Sequence, residues 1–469
     1  RSNITNINIK PIKYDHNSSY SFPKTKVVIN LAPADLKKEG SSYDLAMAVG
    51  ILAREGIIKD FDYNSIAFMG ELSLDGSLRA VNGILPIVCG LEELGIKKII
   101  LPSANLKEAS FIDNIEALGA DNLAQVVNYL NKEGNLKTLK QNIDDFLYED
   151  INFEIDFNQV KGQLQAKKAL EIAASGAHNV LMSGSPGSGK TMLAKAFMSI
   201  LPPLNKKEAI ELTKIYSISG LLDRKNPLVT KRPFRSPHHS ASAVGIIGGG
   251  TNPKPGEITL AHRGVLFLDE MVEFPRSTLE VLRQPLEDNV VTISRAQTSV
   301  QYPANFILIG AMNPCPCGFL GDSKKPCTCS EYQINRYRSR LSGPLLDRID
   351  IQIKVQRLED DELINTKTSS ESSFQIKERV IKARKIQLER YKNEGILTNG
   401  ELTPKLIKKY CKINESEKTF LKNAINQFNL SARSFDRLLK ISRTIADLEN
   451  QEDIKVSHIA QALQLRSFS

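Results

Sequence analysis

The first part of the chain alternates short apolar runs with amphipathic stretches. Apolar runs over 26–31 and 98–101 predict buried strands, and the helical spacing of apolar residues over 43–54 predicts a helix. Residues 133–157 are polar and acidic, which is typical of a linker. The pattern therefore predicts a domain of mixed strands and helices over residues 1–132, followed by that linker.

In the middle of the chain the pattern changes to strands that alternate with helices. Strands are predicted at 179–182, 265–268 and 306–309, and a helix over 191–201 follows the first of them. Alternation of this kind is typical of a parallel sheet covered by helices. We therefore predict an α/β core over residues 158–367.

The C-terminal part, residues 368–469, reads as a helical domain. A polar, serine-rich stretch at 369–373 predicts a hinge at its start. Beyond the hinge, apolar spacing predicts amphipathic helices over 374–391, 403–411, 416–428, 431–449 and 456–465.

The composition is that of a globular protein with several domains. The chain has 469 residues, of which 41% are hydrophobic and 25% charged, and about 100–200 residues make one domain. No apolar run is long enough to span a membrane and no secretory leader opens the chain, so we expect no membrane partner and a cytoplasmic location. Because the first residue is not Met, we expect a fragment or a processed chain.

The net charge is +9 and is concentrated in the C-terminal domain. Residues 376–469 hold 19 Lys and Arg against 11 Asp and Glu, which gives 19 − 11 = +8. A basic domain is compatible with binding to nucleic acid, whose phosphates attract Lys and Arg. A solvated, lysine-rich helical surface explains the same charge equally well.

A glycine-rich segment between a predicted strand and a predicted helix fits the phosphate-loop pattern G-x-x-x-x-G-K-[ST]. Its residues are Gly184, Ser185, Pro186, Gly187, Ser188, Gly189, Lys190 and Thr191. Glycines let backbone N–H groups converge on phosphates, and the following helix points its positive end at them. We expect Lys190 to contact the β and γ phosphates of ATP and Thr191 to bind Mg²⁺.

The predicted strand at 265–268 ends in two carboxylates, Asp269 and Glu270. In open α/β sheets, ligands collect at the carboxyl ends of the strands. We expect Asp269 to hold the Mg²⁺ shell and Glu270 to polarise the attacking water.

Three further polar residues are candidates for contact with the γ phosphate. The predicted strand at 306–309 continues to Asn313, which ends it. The alternative is that Asn313 is only a turn residue before Pro314. Arg348 lies between apolar residues, and a fixed guanidinium suits developing phosphoryl charge, although an ion pair with a nearby Asp is the alternative. Arg433 opens a predicted helix for which Ser431 is the expected N-cap.

Four of the six cysteines form two C-x-C pairs. They are Cys315, Cys317, Cys327 and Cys329. Four thiolates can enclose Zn²⁺ in a closed structural site, and reduced free thiols are the alternative. The low cysteine content and this clustering indicate a reducing compartment. Cys89 and Cys411 fall in helical patterns and are expected in the core.

Taken with these motifs, the chain resembles AAA+ ATPases of the magnesium-chelatase-like ComM/YifB family. The likeness covers nearly the whole chain and also includes segments 160–163, 234–240, 248–257, 264–270, 313–318 and 340–350. It implies an AAA+ P-loop parallel sheet with a helical C-terminal lid. It also implies a preceding α+β domain like that of Lon protease, related to ribosomal protein S5.

The resemblance assigns roles to individual residues. The residues near the adenine would be Val160, Gly162 and Gln163. Asn313 corresponds to sensor 1 and Arg433 to sensor 2. Arg348 would be the finger that reaches the nucleotide of a neighbouring subunit, with Arg340 as the second candidate. A finger that acts between subunits implies a ring, normally a homo-hexamer.

The resemblance also explains two inserts, expected near 240–256 and 293–301, as hairpins that face the central pore. Arg295 in the second hairpin is a candidate phosphate contact, while an ordinary surface hairpin is the alternative. His238 and His239 are adjacent and cannot share one face of a strand, so we do not expect a metal pair there.

The N-terminal domain is expected to be inactive as a peptidase. Its likeness to Lon protease rests on segments 40–45, 70–76 and 81–85. Ser42 occupies the nucleophile position, but Leu85 stands where a Ser–Lys peptidase needs its lysine. Residues 1–22 match the family poorly, so part of this domain is expected to be missing.

Together the motifs and the resemblance lead us to expect an ATP-driven ring motor that moves on DNA. The resemblance implies that this homo-hexamer acts as a branch-migration helicase during recombination of incoming DNA in natural transformation. A magnesium-chelatase-type ATPase that drives metal insertion is one alternative, although no porphyrin partner is expected. A remodeller of proteins is the other alternative. The expected cofactors are ATP, Mg²⁺ and a structural Zn²⁺.

Overall fold

A computed structural model describes most of the chain. The described residues are 27–29, 40–59, 62–147, 153–250, 253–294, 299–358, 371–428 and 431–466. They form two compact units. Unit 1 comprises Arg1–Glu149 and Asn205–Thr230, and unit 2 comprises Asp150–Leu204 and Lys231–Ser469.

The regular elements are numbered here in chain order. The helices are α1 (Asp44–Arg54), α2 (Ile84–Glu93), α3 (Leu106–Ala109), α4 (Leu123–Leu130), α5 (Asp144–Leu147), α6 (Leu164–Gly176), α7 (Lys190–Ile200), α8 (Lys206–Ser219), α9 (Ala243–Ile247), α10 (Glu257–Leu260), α11 (Arg276–Glu280), α12 (Pro285–Asp288), α13 (Glu331–Arg338), α14 (Gly343–Leu346), α15 (Ser373–Arg390), α16 (Pro404–Tyr410), α17 (Glu415–Phe428), α18 (Ala432–Leu448) and α19 (Val456–Gln464). The strands are β1 (Ile66–Phe68), β2 (Glu71–Leu72), β3 (Leu78–Arg79), β4 (Lys98–Pro102), β5 (Glu116–Ala120), β6 (Lys137–Thr138), β7 (Val180–Ser183), β8 (Phe234–Arg235), β9 (Gly248–Gly249), β10 (Lys254–Pro255), β11 (Val265–Leu268), β12 (Val290–Ser294), β13 (Ser299–Pro303), β14 (Ile307–Met312) and β15 (Ile351–Lys354).

Unit 1 is built on a four-stranded sheet in the order β1-β4-β5-β6. The first three strands are parallel to one another, and β6 pairs antiparallel with β5. β4 is almost wholly apolar and its last four residues are buried, which explains why the sequence pattern alone locates it.

Helix α8 belongs to unit 1, although its sequence lies within the predicted ATPase core. It begins at a capping box of Asn205 and Glu208 and packs against α2. Ile210 contacts an apolar cluster that includes Ile84 and Val88. In addition, the Ser217 hydroxyl donates to the buried carboxylate of Glu108 at 2.5 Å. The helix therefore takes its core from the N-terminal part of the chain.

Unit 2 contains a parallel five-stranded sheet in the order β15-β7-β14-β11-β8. β7, β11 and β14 are buried along their whole length. Helices α6 and α7 and the C-terminal helices α15 to α19 share one apolar cluster with this sheet. The prediction of a parallel α/β sheet with a helical C-terminal domain is confirmed.

The structure differs from the sequence-based boundaries at two places. Within the predicted linker 133–157, β6 and α5 are regular elements of unit 1. Segment 205–230, assigned by sequence to the ATPase core, also belongs to unit 1. Short polar elements such as β6 carry too little apolar pattern to be recognised without their partner strand.

Several predicted features fall wholly or partly outside the described residues. They are residues 1–22, half of the strand at 26–31, Arg295 and the first two residues of the hinge at 369–373. Of the helices that the structure does describe, none combines the length and the apolar character that a membrane crossing needs.

Candidate functional site

The candidate site lies at the carboxyl edge of the sheet in unit 2. β14 pairs with β7 on one side and with β11 on the other. The phosphate loop follows β7, Asn313 follows β14, and Asp269 follows β11. Because the carboxyl ends of parallel strands meet at one edge, three separate segments deliver their polar residues to one place.

The phosphate loop connects β7 directly to the first residue of α7. Gly187 and Gly189 have φ values of 77° and 91°, in the left-handed region that favours glycine. A Cβ atom on Gly184 would lie 2.2 Å from the carbonyl oxygen of Val355 and 2.8 Å from Oγ of Ser188. The close approach and the turn therefore require glycine at these three positions.

Lys190 begins α7 and points its ammonium group into the loop. Its Nζ donates to the carbonyl oxygens of Gly184 and Ser185 at 2.6 and 3.0 Å. It also lies 3.4 Å from Oδ1 of Asn313. Burial lowers the pKa of the Lys190 ammonium, and the nearby carboxylates of Asp269 and Glu270 partly offset that effect. The loop thus holds a desolvated cation in position for an anionic ligand.

The two predicted Mg²⁺ ligands meet directly. Oγ1 of Thr191 donates to Oδ2 of Asp269 at 2.8 Å. A hydroxyl and a carboxylate are oxygen ligands of the kind that Mg²⁺ prefers, so Thr191 and Asp269 would hold the cation, which would supply charge neutralisation. The donor set therefore fits Mg²⁺ at this position.

Glu270 follows Asp269 and lies in a left-handed conformation with φ 48°. Its backbone N–H donates to Oδ1 of Asp269 at 3.0 Å. A non-glycine residue at positive φ is uncommon, and such strain concentrates at functional sites.

His239 is a neighbour of Glu270 that the sequence did not reveal. Its Nδ1 lies 3.6 Å from Oε2 of Glu270, and its ring meets Phe274 edge to face. The His238 ring lies against it, with ring centroids 4.0 Å apart and ring planes tilted by 35°, and His238 bonds to Ser240 instead. The sequence predicts only that these two histidines do not form a metal pair. Because His239 is 31 positions from Glu270, no local pattern indicates that the two side chains meet.

The segment expected near the adenine lies beside the phosphate loop. Val160 is buried, and Gly162 and Gln163 adopt left-handed conformations with φ values of 55° and 56°. Nε2 of Gln163 donates to the carbonyl oxygen of Gln356 at 2.6 Å and lies 3.5 Å from that of Ser188. The segment therefore joins the start of α6 to the loop and to the end of β15.

Arg348 and Arg433 share one carboxylate, that of Glu287. Arg348 is 95% buried; it donates to the carbonyl oxygen of Pro344 at 2.7 Å and forms an ion pair with Glu287. Nη2 of Arg433, in the first turn of α18, lies 3.7 Å from the other oxygen of the same carboxylate. The structure thus brings the predicted finger and the predicted sensor 2 together. Ser431 is the N-cap of α18, as predicted.

Arg340, the second candidate for the finger, is the more accessible of the two. Its side chain is 54% exposed and its Nη1 lies 2.9 Å from Oε2 of Glu273. The pair joins the segment after α13 to the turn that follows Glu270. An exposed pair of this kind contributes little stability and is free to rearrange.

The four clustered cysteines come together in a cysteine knuckle (residues 313–330). Their sulfur atoms all lie within 4.8 Å of one another, and all four are free thiols. Backbone hydrogen bonds from Phe319 and Thr328 lower the pKa of the Cys317 thiol to about 6. Cys89 and Cys411 are buried, as expected.

The two predicted inserts differ in regularity. β12 and β13 form an antiparallel hairpin in which Ile293 pairs with Val300, at the place of the insert expected near 293–301. The segment near 240–256 contains α9 and the two-residue strands β9 and β10.

In unit 1, Leu85 is fully buried at the start of α2, so it is a core residue. The carbonyl oxygen of Ser42 accepts a hydrogen bond from Gly70 at 3.0 Å.

Family models of magnesium chelatase match most of the chain. The model described as magnesium chelatase, subunit ChlI, matches residues 156–363, and the model of the subunit's C-terminal part matches residues 370–466. A third model, described as subunit ChlI of Mg-chelatase, matches residues 12–105.

Individual relatives are similar over nearly the full length. Competence protein ComM of Haemophilus influenzae is 42% identical over 457 residues, which cover 96% of this chain and 87% of that protein. An uncharacterised protein, YifB of Salmonella typhimurium, is 40% identical with the same coverage. The magnesium-chelatase 67 kDa subunit of Heliobacterium mobile is 29% identical over 190 residues, or 34% of this chain and 28% of that protein.

Proposed function

Because this chain belongs to the magnesium-chelatase-like ComM/YifB family of AAA+ ATPases, we propose that it is an ATP-driven ring motor that moves on DNA. Its work would be branch migration during recombination of incoming DNA. The observation that carries this proposal is the similarity over 96% of the chain to a protein named for competence.

The residues at the sheet edge support the hydrolytic step. Lys190 would neutralise the β and γ phosphates, and Thr191 and Asp269 would hold Mg²⁺, which supplies charge neutralisation when bound. Glu270 would accept a proton from the attacking water, and the amide of Asn313, 3.4 Å from Lys190 Nζ, would orient that water.

The pairing of Arg348 and Arg433 supports a site that is completed by a second subunit. Both guanidiniums bind Glu287, so both would approach the same neighbouring nucleotide when subunits assemble. In a homo-hexamer, a γ phosphate would take the place of the Glu287 carboxylate. Phosphate and carboxylate are both matched by the planar guanidinium fork, which makes this exchange chemically reasonable.

The hairpins and the charge of the C-terminal domain support DNA as the partner. β12–β13 and β9–β10 would face the pore and move with the state of the nucleotide. The C-terminal residues 376–469 carry a net charge of +8, which would attract the phosphate backbone without regard to sequence.

The proposal is tested by measuring ATP hydrolysis and the migration of a synthetic four-way junction side by side. We expect DNA to stimulate hydrolysis and Lys190→Ala to abolish both activities. Lys195→Ala is the matched control, because this lysine lies on the same helix but pairs with Glu154 at the surface. A hydrolysis rate that is unchanged by single-stranded and branched DNA would contradict the proposal.

Metal insertion is the second candidate function. It is favoured by the names of the family models, but the similarity to the magnesium-chelatase 67 kDa subunit extends over only 34% of this chain. Stimulation of ATP hydrolysis by a porphyrin, rather than by DNA, would favour this candidate.

A further inference from the structure

We infer that the cysteine knuckle binds one Zn²⁺ ion and that the zinc-bound knuckle supports the phosphate loop from outside, so that ATP affinity depends on the metal. This inference rests on ATP binding at the proposed site, but it requires nothing of DNA. Its test therefore fails or succeeds independently of the motor proposal.

The sulfur positions fit a tetrahedral zinc site. The Sγ atom of Cys315 lies 3.4 Å from that of Cys317 and 3.6 Å from that of Cys327, and the last two atoms are 3.6 Å apart. A zinc ion with Zn–S bonds of about 2.3 Å holds its ligands roughly 3.8 Å apart. A disulfide would need about 2.05 Å. The thiols are therefore spaced for a shared ion and not for a covalent bond.

The backbone around the sulfurs is arranged to stabilise thiolates. The N–H of Cys317 donates to Sγ of Cys329 at 3.4 Å, and the N–H of Cys329 approaches Sγ of Cys327 at 3.5 Å. Such N–H to sulfur bonds offset the negative charge that four thiolates leave on a divalent ion. Cys315 is fully buried, so the site is closed on one side by the protein.

The knuckle has few other means of holding its shape. No helix or strand lies between Met312 and Glu331. Besides the cysteines, its internal contacts are local turns and one ring contact. Oδ1 of Asp322 accepts the N–H groups of Lys324 and Lys325 at 2.9 and 3.0 Å, and the Lys325 ammonium lies over the Phe319 ring at 5.1 Å. A loop of this length without a core of its own is the kind of segment that a metal ion stabilises.

The knuckle touches the phosphate loop at Gly318. This residue has φ 84°, and a Cβ atom placed on it would lie 2.7 Å from Cδ of Pro186. Pro186 is a loop residue that precedes Lys190. The knuckle also contains Asn313, two residues before Cys315, so the same segment positions a residue beside the γ phosphate.

The first experiment measures zinc in the purified full chain by mass spectrometry. We expect one zinc per chain in the wild type and in Cys89→Ala, a control cysteine that lies in unit 1. The double variant Cys327→Ser/Cys329→Ser should contain almost none. A wild-type protein grown with zinc that carries less than about a tenth of an equivalent would overturn the inference, because a closed four-thiolate site binds zinc tightly.

The second experiment measures the affinity for a fluorescent ATP analogue without DNA. We expect the double cysteine variant to bind about tenfold more weakly or worse, because small displacements of phosphate-binding groups have large effects. Gly318→Val should weaken binding in the same way while it retains zinc, which separates the contact from the metal. Wild-type affinity in a zinc-free double variant, or in Gly318→Val, would overturn the supporting role. If the double variant does not fold, the zinc content of the wild type still tests metal binding, and the ATP affinity of Gly318→Val still tests the supporting role of the knuckle.

Discussion

Oγ1 of Thr191 donates a hydrogen bond to Oδ2 of Asp269 at 2.8 Å, although the two residues are 78 positions apart. Thr191 is fixed by the start of α7 and Asp269 by the end of β11, and β14 lies between β7 and β11 in the sheet. The oxygen ligands proposed for Mg²⁺ are therefore brought together by the sheet itself. A site of this kind needs little rearrangement to receive the metal.

Glu270→Gln should separate ATP binding from hydrolysis. The amide keeps the size of the side chain but cannot accept the proton of the attacking water, so we expect hydrolysis to fall about 100-fold or more. Binding of a fluorescent ATP analogue should stay near the wild-type value. Asp269→Asn should have a different effect: a magnesium titration should show that this variant needs more Mg²⁺ to reach half of its maximal rate of ATP hydrolysis. Equal hydrolysis by Glu270→Gln and the wild type would rule out the proposed base.

Mixing two inactive variants should restore activity if Arg348 serves a neighbouring site. Lys190→Ala lacks the loop lysine but supplies an intact arginine, and Arg348→Ala has the opposite defect. If subunits mix at random, roughly a quarter of the sites combine both intact halves. The rate of ATP hydrolysis of the mixture is the measurement.

The control mixture combines Lys190→Ala with Glu270→Gln, whose defects lie on the same half of the site, and it should stay inactive. Substituting Arg340→Ala for Arg348→Ala tests the second candidate for the finger. If neither arginine variant is rescued by Lys190→Ala, the site is not completed by a neighbour.

His239 should affect the coupling of hydrolysis to DNA more than ATP binding. Its imidazole lies 3.6 Å from the Glu270 carboxylate, and Ser242, three residues later, caps the helix that leads into β9. In His239→Ala we expect the ratio of DNA-stimulated to basal hydrolysis to change several-fold, while the affinity for ATP is unchanged. His239→Gln can still donate a hydrogen bond to Glu270 and should restore the ratio. An unchanged ratio in His239→Ala would show that the contact is only structural.

Stability should decrease below neutral pH because of His178. Burial lowers the pKa of its imidazole against the raising effect of Asp350, while Lys440 and Arg384 also disfavour the charged form. Unfolded histidine titrates at about pH 6.5. The contribution of the buried, neutral His178 to the free energy of unfolding is therefore fully present above that pH. It is lost as the pH falls, by about 1.4 kcal/mol per pH unit, since the unfolded state takes up the proton first.

Denaturant unfolding of the wild type and of His178→Gln at pH 8, 7 and 6 checks this prediction. The difference in free energy of unfolding between the two proteins should shrink as the pH falls. His238→Gln serves as the control, because that histidine is exposed. A constant difference between wild type and His178→Gln would contradict the assignment.

The sequence predicts the local parts of the site well. The phosphate loop, α7 and β11 each carry their information within a few residues, and the structure has them within one position of the prediction. The clustering of the four cysteines was predictable in the same way, because they lie within 15 residues of one another in the sequence.

Contacts between distant segments could not be predicted in the same way. Nothing near Glu287 indicates that it pairs with both Arg348 and Arg433. His239 likewise meets Glu270 only because β8 and β11 are neighbours in the sheet. Such pairs depend on strand order, which one sequence does not specify.

Helix α8 makes the ATPase core discontinuous in the gene. The polypeptide leaves unit 2 after Leu204, contributes a helix to unit 1 and returns at Lys231. A recombinant boundary near residue 150 would leave Ile210 and Ser217 without Ile84 and Glu108, their partners in unit 1. Exchange of the N-terminal unit as a cassette between genes would therefore need two coordinated insertions, and a single crossover would produce a helix that exposes its apolar side to solvent.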